Sequence, residues 1–262
     1  MQVMQTTSGV LHYRASELVP ARRTLVFINS LGSDFRIWDG VVAALGDQFN
    51  VVLHDKAGHG LSDLRTGPST IPDYARDLEE LLAHLNLSQV ILCGISVGGL
   101  IAQSLYHQRP DLVRGMILSN TGLKIGTDES WAARITAIQA GGISSISDAI
   151  LERWFAPEFC NGKPTEFALY KNMLERTPKA GYIACCEAIR DADFSAQVAQ
   201  ISVPVLCIAG EHDVSTPPAL LQSMSTQIPN AKFELIAGTV HLPCIECPEH
   251  YAKLISNFIE SM

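Results

Sequence analysis

Short apolar runs and longer amphipathic runs alternate along this chain. Residues 1–20 alternate weakly around Gly9 and end at Pro20, which predicts an opening hairpin. Thr24 to Ile28 is an almost unbroken apolar run, the pattern of a strand covered on both faces. Helical spacing follows from Ile37 to Leu45, then a short buried strand at Val51 to Leu53. Pro72 to Leu85 places Tyr74, Leu78, Leu81, Leu82 and Leu85 on one helical face. Pro72 suits the first turn of that helix, and Asp73 complements its positive end. A strand from Val90 runs into a glycine-rich turn, and a helical run follows until Pro110 stops it. Gly115 to Leu118 is a further buried strand. Strands alternating with helices in this way imply βαβ units and a mainly parallel sheet.

The rhythm breaks between residues 122 and 195. Trp131–Ile138, Ile146–Phe155, Pro164–Arg176 and Ala180–Arg190 read as successive helices with no strand between them. The sheet resumes at Val203 to Ala209. A helix from Pro217 to Gln227, a strand from Lys232 to Ile236 and a last helix from Pro248 to Glu260 complete the chain. The expected organisation is an α/β core built from residues 1–121 and 196–262, with residues 122–195 forming a helical cap over the active edge of the sheet.

At 262 residues the chain can bury a sizeable core as one domain or one domain with an insertion. A net charge of -8, with no Lys/Arg cluster, argues against nucleic acid or an anionic membrane as a partner. The seven cysteines are an odd number, mostly in apolar runs, which predicts reduced thiols in the cytoplasm. Cys244 and Cys247 have C-x-x-C spacing, but no second Cys/His pair is placed to complete a zinc site, so no metal is expected. No basic-then-apolar leader and no apolar run near 18 residues is present, so neither a signal peptide nor a membrane span is expected. The spacing says nothing about oligomeric state.

The candidate chemistry centres on Gly94-Ile95-Ser96-Val97-Gly98, which fits G-x-S-x-G between a strand and a helix. That context holds a serine on a sharp turn, with free helix N–H groups aimed where negative charge develops. A serine needs a base, and the base needs a third group to orient it. Asp213 lies in the loop after the strand ending at Ala209, with Glu211 as its nearest rival. His241 lies in the loop after the last strand and is preferred as base over His212, His250, His59 and His54. The oxyanion donors are expected to be the backbone N–H groups of Val97 and of Leu31, in the loop after the first long strand. Asp55-Lys56-Ala57-Gly58-His59-Gly60-Leu61-Ser62 lacks the Gly-Lys-Ser/Thr ending of a phosphate loop. Asp55 and His59 are expected to brace loops near the site by hydrogen bonds.

Asp55 to Ser62, Gly94 to Gly98, Gly210-Glu211-His212-Asp213 and Val240-His241, four motifs in this order along the chain, resemble the α/β-hydrolase superfamily over nearly its whole length. Asn29-Ser30 is a departure, since many relatives have His-Gly there. Ile28-Asn29-Ser30-Leu31-Gly32-Ser33-Asp34 followed by Trp38, Cys93 to Gly99, and Trp154-Phe155 are similar to the 3-oxoadipate enol-lactonase family. The resemblance implies hydrolysis of a carboxylate-bearing lactone in the breakdown of aromatic acids, by a Ser96-His241-Asp213 triad without cofactor. An acidic chain must then supply a local cation for the substrate carboxylate. Arg134, Arg153, Lys171, Arg176 and Arg190 are the candidates in the cap, and Arg134, near Trp131, is preferred. Trp131 and Trp154 are candidate pocket walls. Rival uses of the same triad are a carboxylesterase, a C–C bond hydrolase or a cofactor-free haloperoxidase, and the rival from another class is a slow-turnover ligand receptor.

Overall fold

The structure is a computed structural model that describes residues 1–262. The opening hairpin forms as β1 (Gln2–Thr6) and β2 (Gly9–Ala15), and the first buried strand as β3 (Thr24–Ile28). A short 3-10 turn leads into α1 (Asp39–Leu45), then β4 (Asn50–His54) and α2 (Ile71–His84). Asp73 sits in the first turn of α2, where its carboxylate accepts the Thr70 N–H at 3.0 Å. β5 (Val90–Ile95) turns directly into α3 (Val97–Gln108), which is followed by β6 (Val113–Ser119).

Five helices then succeed one another: α4 (Asp128–Gly141), α5 (Ser147–Trp154), α6 (Pro157–Gly162), α7 (Pro164–Glu175) and α8 (Lys179–Arg190). The short α6 escapes the periodicity because six residues are too few to show one face. β7 (Val205–Gly210) begins only after Pro204, which has no N–H for the ladder but whose carbonyl accepts from Met116 N at 3.0 Å. α9 (Pro218–Ser225), β8 (Ala231–Ile236), the single turn α10 (Pro243–Glu246) and α11 (Pro248–Glu260) end the chain.

The eight strands form one sheet in the order β1-β2-β4-β3-β5-β6-β7-β8. β1 and β2 join antiparallel to the β4 edge, and every pairing from β4 to β8 is parallel. Every residue of β3, β4, β5 and β7 is buried, as their continuous apolar runs require. β8, at the edge, alternates towards solvent instead. One hydrophobic core runs through the sheet and into the helical segment, taking in Ile135, Leu151, Leu174 and Tyr182. The parallel strands all end on the same side, and the loops after β3, β5, β6, β7 and β8 meet there beneath the helices. No helix is long and apolar enough to cross a membrane.

Candidate active site

Ser96 lies between the last residue of β5 and the first of α3, with φ 57° and ψ -121°. A non-glycine residue is costly in that region, so the fold must impose it. Ser96 N donates to Ser119 O at 2.9 Å, while the Ser96 carbonyl accepts from Gly99 N at 2.9 Å and Thr121 Oγ1 at 2.7 Å. The turn also needs its glycines. A Cβ at Gly94 would stand 2.2 Å from Gly98 O, and one at Gly98 would stand 2.2 Å from Ile28 O. Those contacts bring α3 close to β3 and so set Ser96 beside the loop that carries Leu31.

Asp213 and His241 come from the loops after β7 and β8. His241 Nδ1 lies 2.7 Å from Asp213 Oδ2, and both residues are buried. The same carboxylate oxygen accepts from Thr216 Oγ1 at 2.6 Å and Asn120 Nδ2 at 2.9 Å. The other accepts the N–H groups of Ser215 at 2.7 Å and Thr216 at 3.1 Å. Burial alone would raise the Asp213 carboxyl, but His241, Thr216 and Asn120 outweigh it and hold it below its ordinary range. An ionised acid on Nδ1 leaves Nε2 as the free face of the imidazole.

Ser96 and His241 open onto one cavity of about 310 Å³. Ser96 Oγ and the imidazole make no hydrogen bond with each other, and catalytic hydrogen bonds commonly tighten only in the complex with substrate. Ser30 and Leu31 line the same cavity. Val97 is the first residue of α3, where an N–H has no intrahelical partner. Among the rivals, Glu211 is exposed and accepts from Gly238 N, while His212 and His250 are exposed. His54 and His59 are buried away from the cavity.

The helical segment closes the other side. Arg134 lines the cavity, half-buried, with its guanidinium 4.8 Å from the centre of the Trp131 ring. Trp131 is itself fixed by a 2.6 Å bond from Nε1 to Ile125 O. Trp154 and Arg153 also reach the cavity. Lys171 is instead paired with Asp148 at 2.6 Å, and Arg190 with Asp191 at 2.7 Å. Arg176 opens onto a separate groove. Arg134 and Arg153 are thus the two guanidinium groups brought to the cavity, and neither pairs with a carboxylate.

Asp55 braces its surroundings as expected, accepting from Phe35 N at 3.0 Å and Leu61 N at 3.0 Å and meeting His12 Nδ1 at 2.8 Å. His59 does not. Its Nδ1 reaches only Ala57 O of its own loop, at 3.3 Å, and its Nε2 has no partner. Its side chain is fully buried and ties no second loop to the site. Cys244 is buried, and Cys247 donates to Pro243 O at 3.3 Å.

Three further residues hold the site and were not visible in the sequence. Asn120 and Thr216 hold Asp213, as described. Glu246 accepts Val240 N at 2.8 Å through one oxygen and Ala156 N at 2.8 Å through the other. It therefore ties the His241 loop to the helical segment, beside the bond from Leu242 N to Trp154 O at 3.2 Å. Asn120 and Glu246 stand in no motif, because their partners are distant in sequence or are backbone groups; Thr216 lies three residues after Asp213, and that proximity was the one available signal.

The sheet order, the strained Ser96 turn and the buried acid–imidazole pair define an α/β-hydrolase. The chain belongs to that family: the family described as serine aminopeptidase, S33 matches residues 19–248. More narrowly, it is similar to 3-oxoadipate enol-lactonases. It is 34% identical to 3-oxoadipate enol-lactonase 2 of Acinetobacter baylyi, over 88% of this chain and 86% of that one. It is also 34% identical to 3-oxoadipate enol-lactonase 1 of the same organism, over 91% and 89%. The crystal structure of the enol-lactonase from Burkholderia xenovorans LB400 superposes with a TM-score of 0.95 at 31% identity, covering 99% of this chain and all of that one.

Proposed function

We propose that this hydrolase opens 3-oxoadipate enol-lactone to 3-oxoadipate, a step in the breakdown of aromatic acids. The observation that carries the reading is the cavity itself. Ser96 and His241 line it together with Arg134 and Arg153, two guanidinium groups free of any carboxylate, and with apolar walls that include Trp131, Ile150 and Trp154. That is the layout a lactone with one free carboxylate requires. The similarity to named enol-lactonases supports the same substrate. Seven free thiols suit a reducing, cytoplasmic setting. Residues 122–195 act as the cap that shapes the substrate's end of the cavity.

In this reading Ser96 Oγ attacks the lactone carbonyl while His241 Nε2 takes its proton. Asp213 holds the imidazole tautomer through Nδ1 and steadies the imidazolium. The oxyanion rests on the N–H groups of Leu31 and Val97, each worth ~3 kcal/mol or more. Collapse breaks the ring C–O bond, and the enol oxygen leaves with a proton from His241. The leaving group stays tethered to the acyl chain and tautomerises to the ketone. Water, deprotonated by His241, then attacks the acyl-enzyme and frees the diacid and Ser96.

The test is loss of the enol-lactone's ultraviolet absorbance with purified protein, beside release of nitrophenol from p-nitrophenyl acetate. A kcat/KM much higher on the lactone supports the reading. Turnover of the simple ester alone would discard the lactonase and keep only the hydrolase.

A further inference from the structure

Lys56 is a buried lysine in the loop after β4, only 2% exposed, and no carboxylate lies within ion-pair distance of it. Its ammonium instead donates to two backbone carbonyls, Ser30 O at 2.6 Å and Ser33 O at 3.3 Å. Those carbonyls flank Leu31. Ser30 O also accepts from Ser33 Oγ at 2.9 Å and Ser33 N at 3.3 Å. Three donors therefore hold one carbonyl oxygen. The Ser30 carbonyl and the Leu31 N–H belong to the same peptide unit, and no peptide in the chain is cis. In a planar trans peptide the two point in opposite directions. Fixing the carbonyl on Lys56 fixes the N–H on the other side, where Ser30 and Leu31 line the cavity with Ser96.

We propose that Lys56 is a positioning residue for the oxyanion hole: it anchors the Ser30 carbonyl so that the Leu31 N–H stays turned into the cavity, and it polarises that peptide as charge develops on the substrate oxygen. The proposal deepens the reading of Leu31 as an oxyanion donor and rests on it. Polarisation follows because a charge-assisted bond to a carbonyl makes the N–H of the same peptide a better donor.

The energetic pattern fits a device kept for function. Burying a cation without a paired carboxylate costs stability, and an apolar side chain would fill the same space at less cost. The groups around the ammonium do little to offset this. Asp55 and Asp34 act on it only at a distance, and each already has its own partner, His12 and Arg36. Cys185 faces it from α8 with a thiol that burial pushes up to about 11. His54 and His59 are both held neutral, by burial first and by Lys56 second. The burial pulls Lys56 itself down to about 8, still charged through the neutral range. Gly32 follows Leu31 at φ 73°, so the loop contains a residue able to turn, and an anchor is needed to select one peptide orientation.

The experiment is Lys56→Met, assayed on p-nitrophenyl acetate and with phenylboronic acid as a tetrahedral-adduct probe. The expected result is kcat lower by on the order of 100-fold, the loss of about one oxyanion donor. KM should stay within about threefold, and the phenylboronic acid Ki should rise at least about tenfold. An unchanged kcat, or a KM that rises as much as kcat falls with boronate inhibition unaltered, overturns the proposal. Should the variant not fold, the wild-type complex with phenylboronic acid decides. A boronate oxygen on Leu31 N, with Ser30 O still on Lys56, supports it; a Ser30 carbonyl turned into the cavity refutes it. Both readouts use a generic ester and a generic inhibitor, so failure on the lactone leaves them interpretable. Ser96→Ala, run alongside, tests the hydrolase reading separately.

Discussion

Asn120 Nδ2 lies 2.9 Å from Asp213 Oδ2 and donates its second proton to Val240 O at 3.0 Å. One buried amide at the end of β6 therefore holds both the acid of one loop and the backbone just before His241 in another. Asn120 does this at φ 44°, a conformation asparagine tolerates better than most residues. Asn120→Ala should cost about 2 kcal/mol for a hydrogen bond to a charged group. A tenfold fall in kcat, ~1.4 kcal/mol, should accompany it as the His241 loop loosens. Asn120→Gly removes the same bonds without the backbone strain, so its urea midpoint should lie above that of Asn120→Ala. Wild-type kcat in both variants would refute this role.

Ser96→Ala should lower kcat on p-nitrophenyl acetate by on the order of 10^4 to 10^6. The far-ultraviolet circular dichroism should not change, because Ser96 Oγ makes no bond that the fold needs. Retained turnover would remove Ser96 as nucleophile.

Arg134→Ala should raise KM for a carboxylated lactone by roughly 10- to 100-fold, the worth of a charge-assisted bond. KM for neutral p-nitrophenyl acetate should move far less. Equal changes on both substrates would show that Arg134 acts by packing on Trp131 and not by binding the carboxylate.

Gly181 on α8 faces Gly58 so closely that a Cβ there would stand 2.3 Å from Gly58 O. Helix propensity favours alanine at a helical position by up to ~1 kcal/mol. Overpacking costs ~1–3 kcal/mol, and the neighbour is backbone that cannot swing away, so the steric effect wins. Gly181→Ala should melt below wild type in calorimetry, and a higher midpoint would contradict this close approach.

His54 is fully buried with Nδ1 unpartnered, and burial, helped by Lys56, pulls it from an ordinary 6.5 to about 4. Between those values the unfolded chain takes up a proton that the folded chain refuses. Stability is therefore retained above pH 6.5 and lost as pH falls towards 4, by ~3 kcal/mol from this residue alone. Urea titrations from pH 7 to 4 should show a shallower decline for His54→Gln than for wild type, and parallel curves would refute the assignment.

The local and periodic features were legible in the sequence. Continuous apolar runs such as Thr24–Ile28 and Val90–Cys93 are too short for helices and fit strands covered on both faces, and their alternation with helical runs implied the parallel sheet. Ser96, Asp213 and His241 stood out because a parallel sheet delivers the loops after its strands to one edge, and their order along the chain matched that edge. What only the tertiary structure decided lies in contacts between groups far apart in sequence. Lys56 on two carbonyls, Glu246 between Val240 and Ala156, and Asn120 on Asp213 have no local signature, since a backbone partner can belong to any residue type and Asp213 lies far along the chain from Asn120. The choice among the cap cations was tertiary for the same reason. Arg134 and Arg153 differ from Lys171 and Arg190 only in which way the helices turn them and in whether a carboxylate meets them, and packing alone settles that.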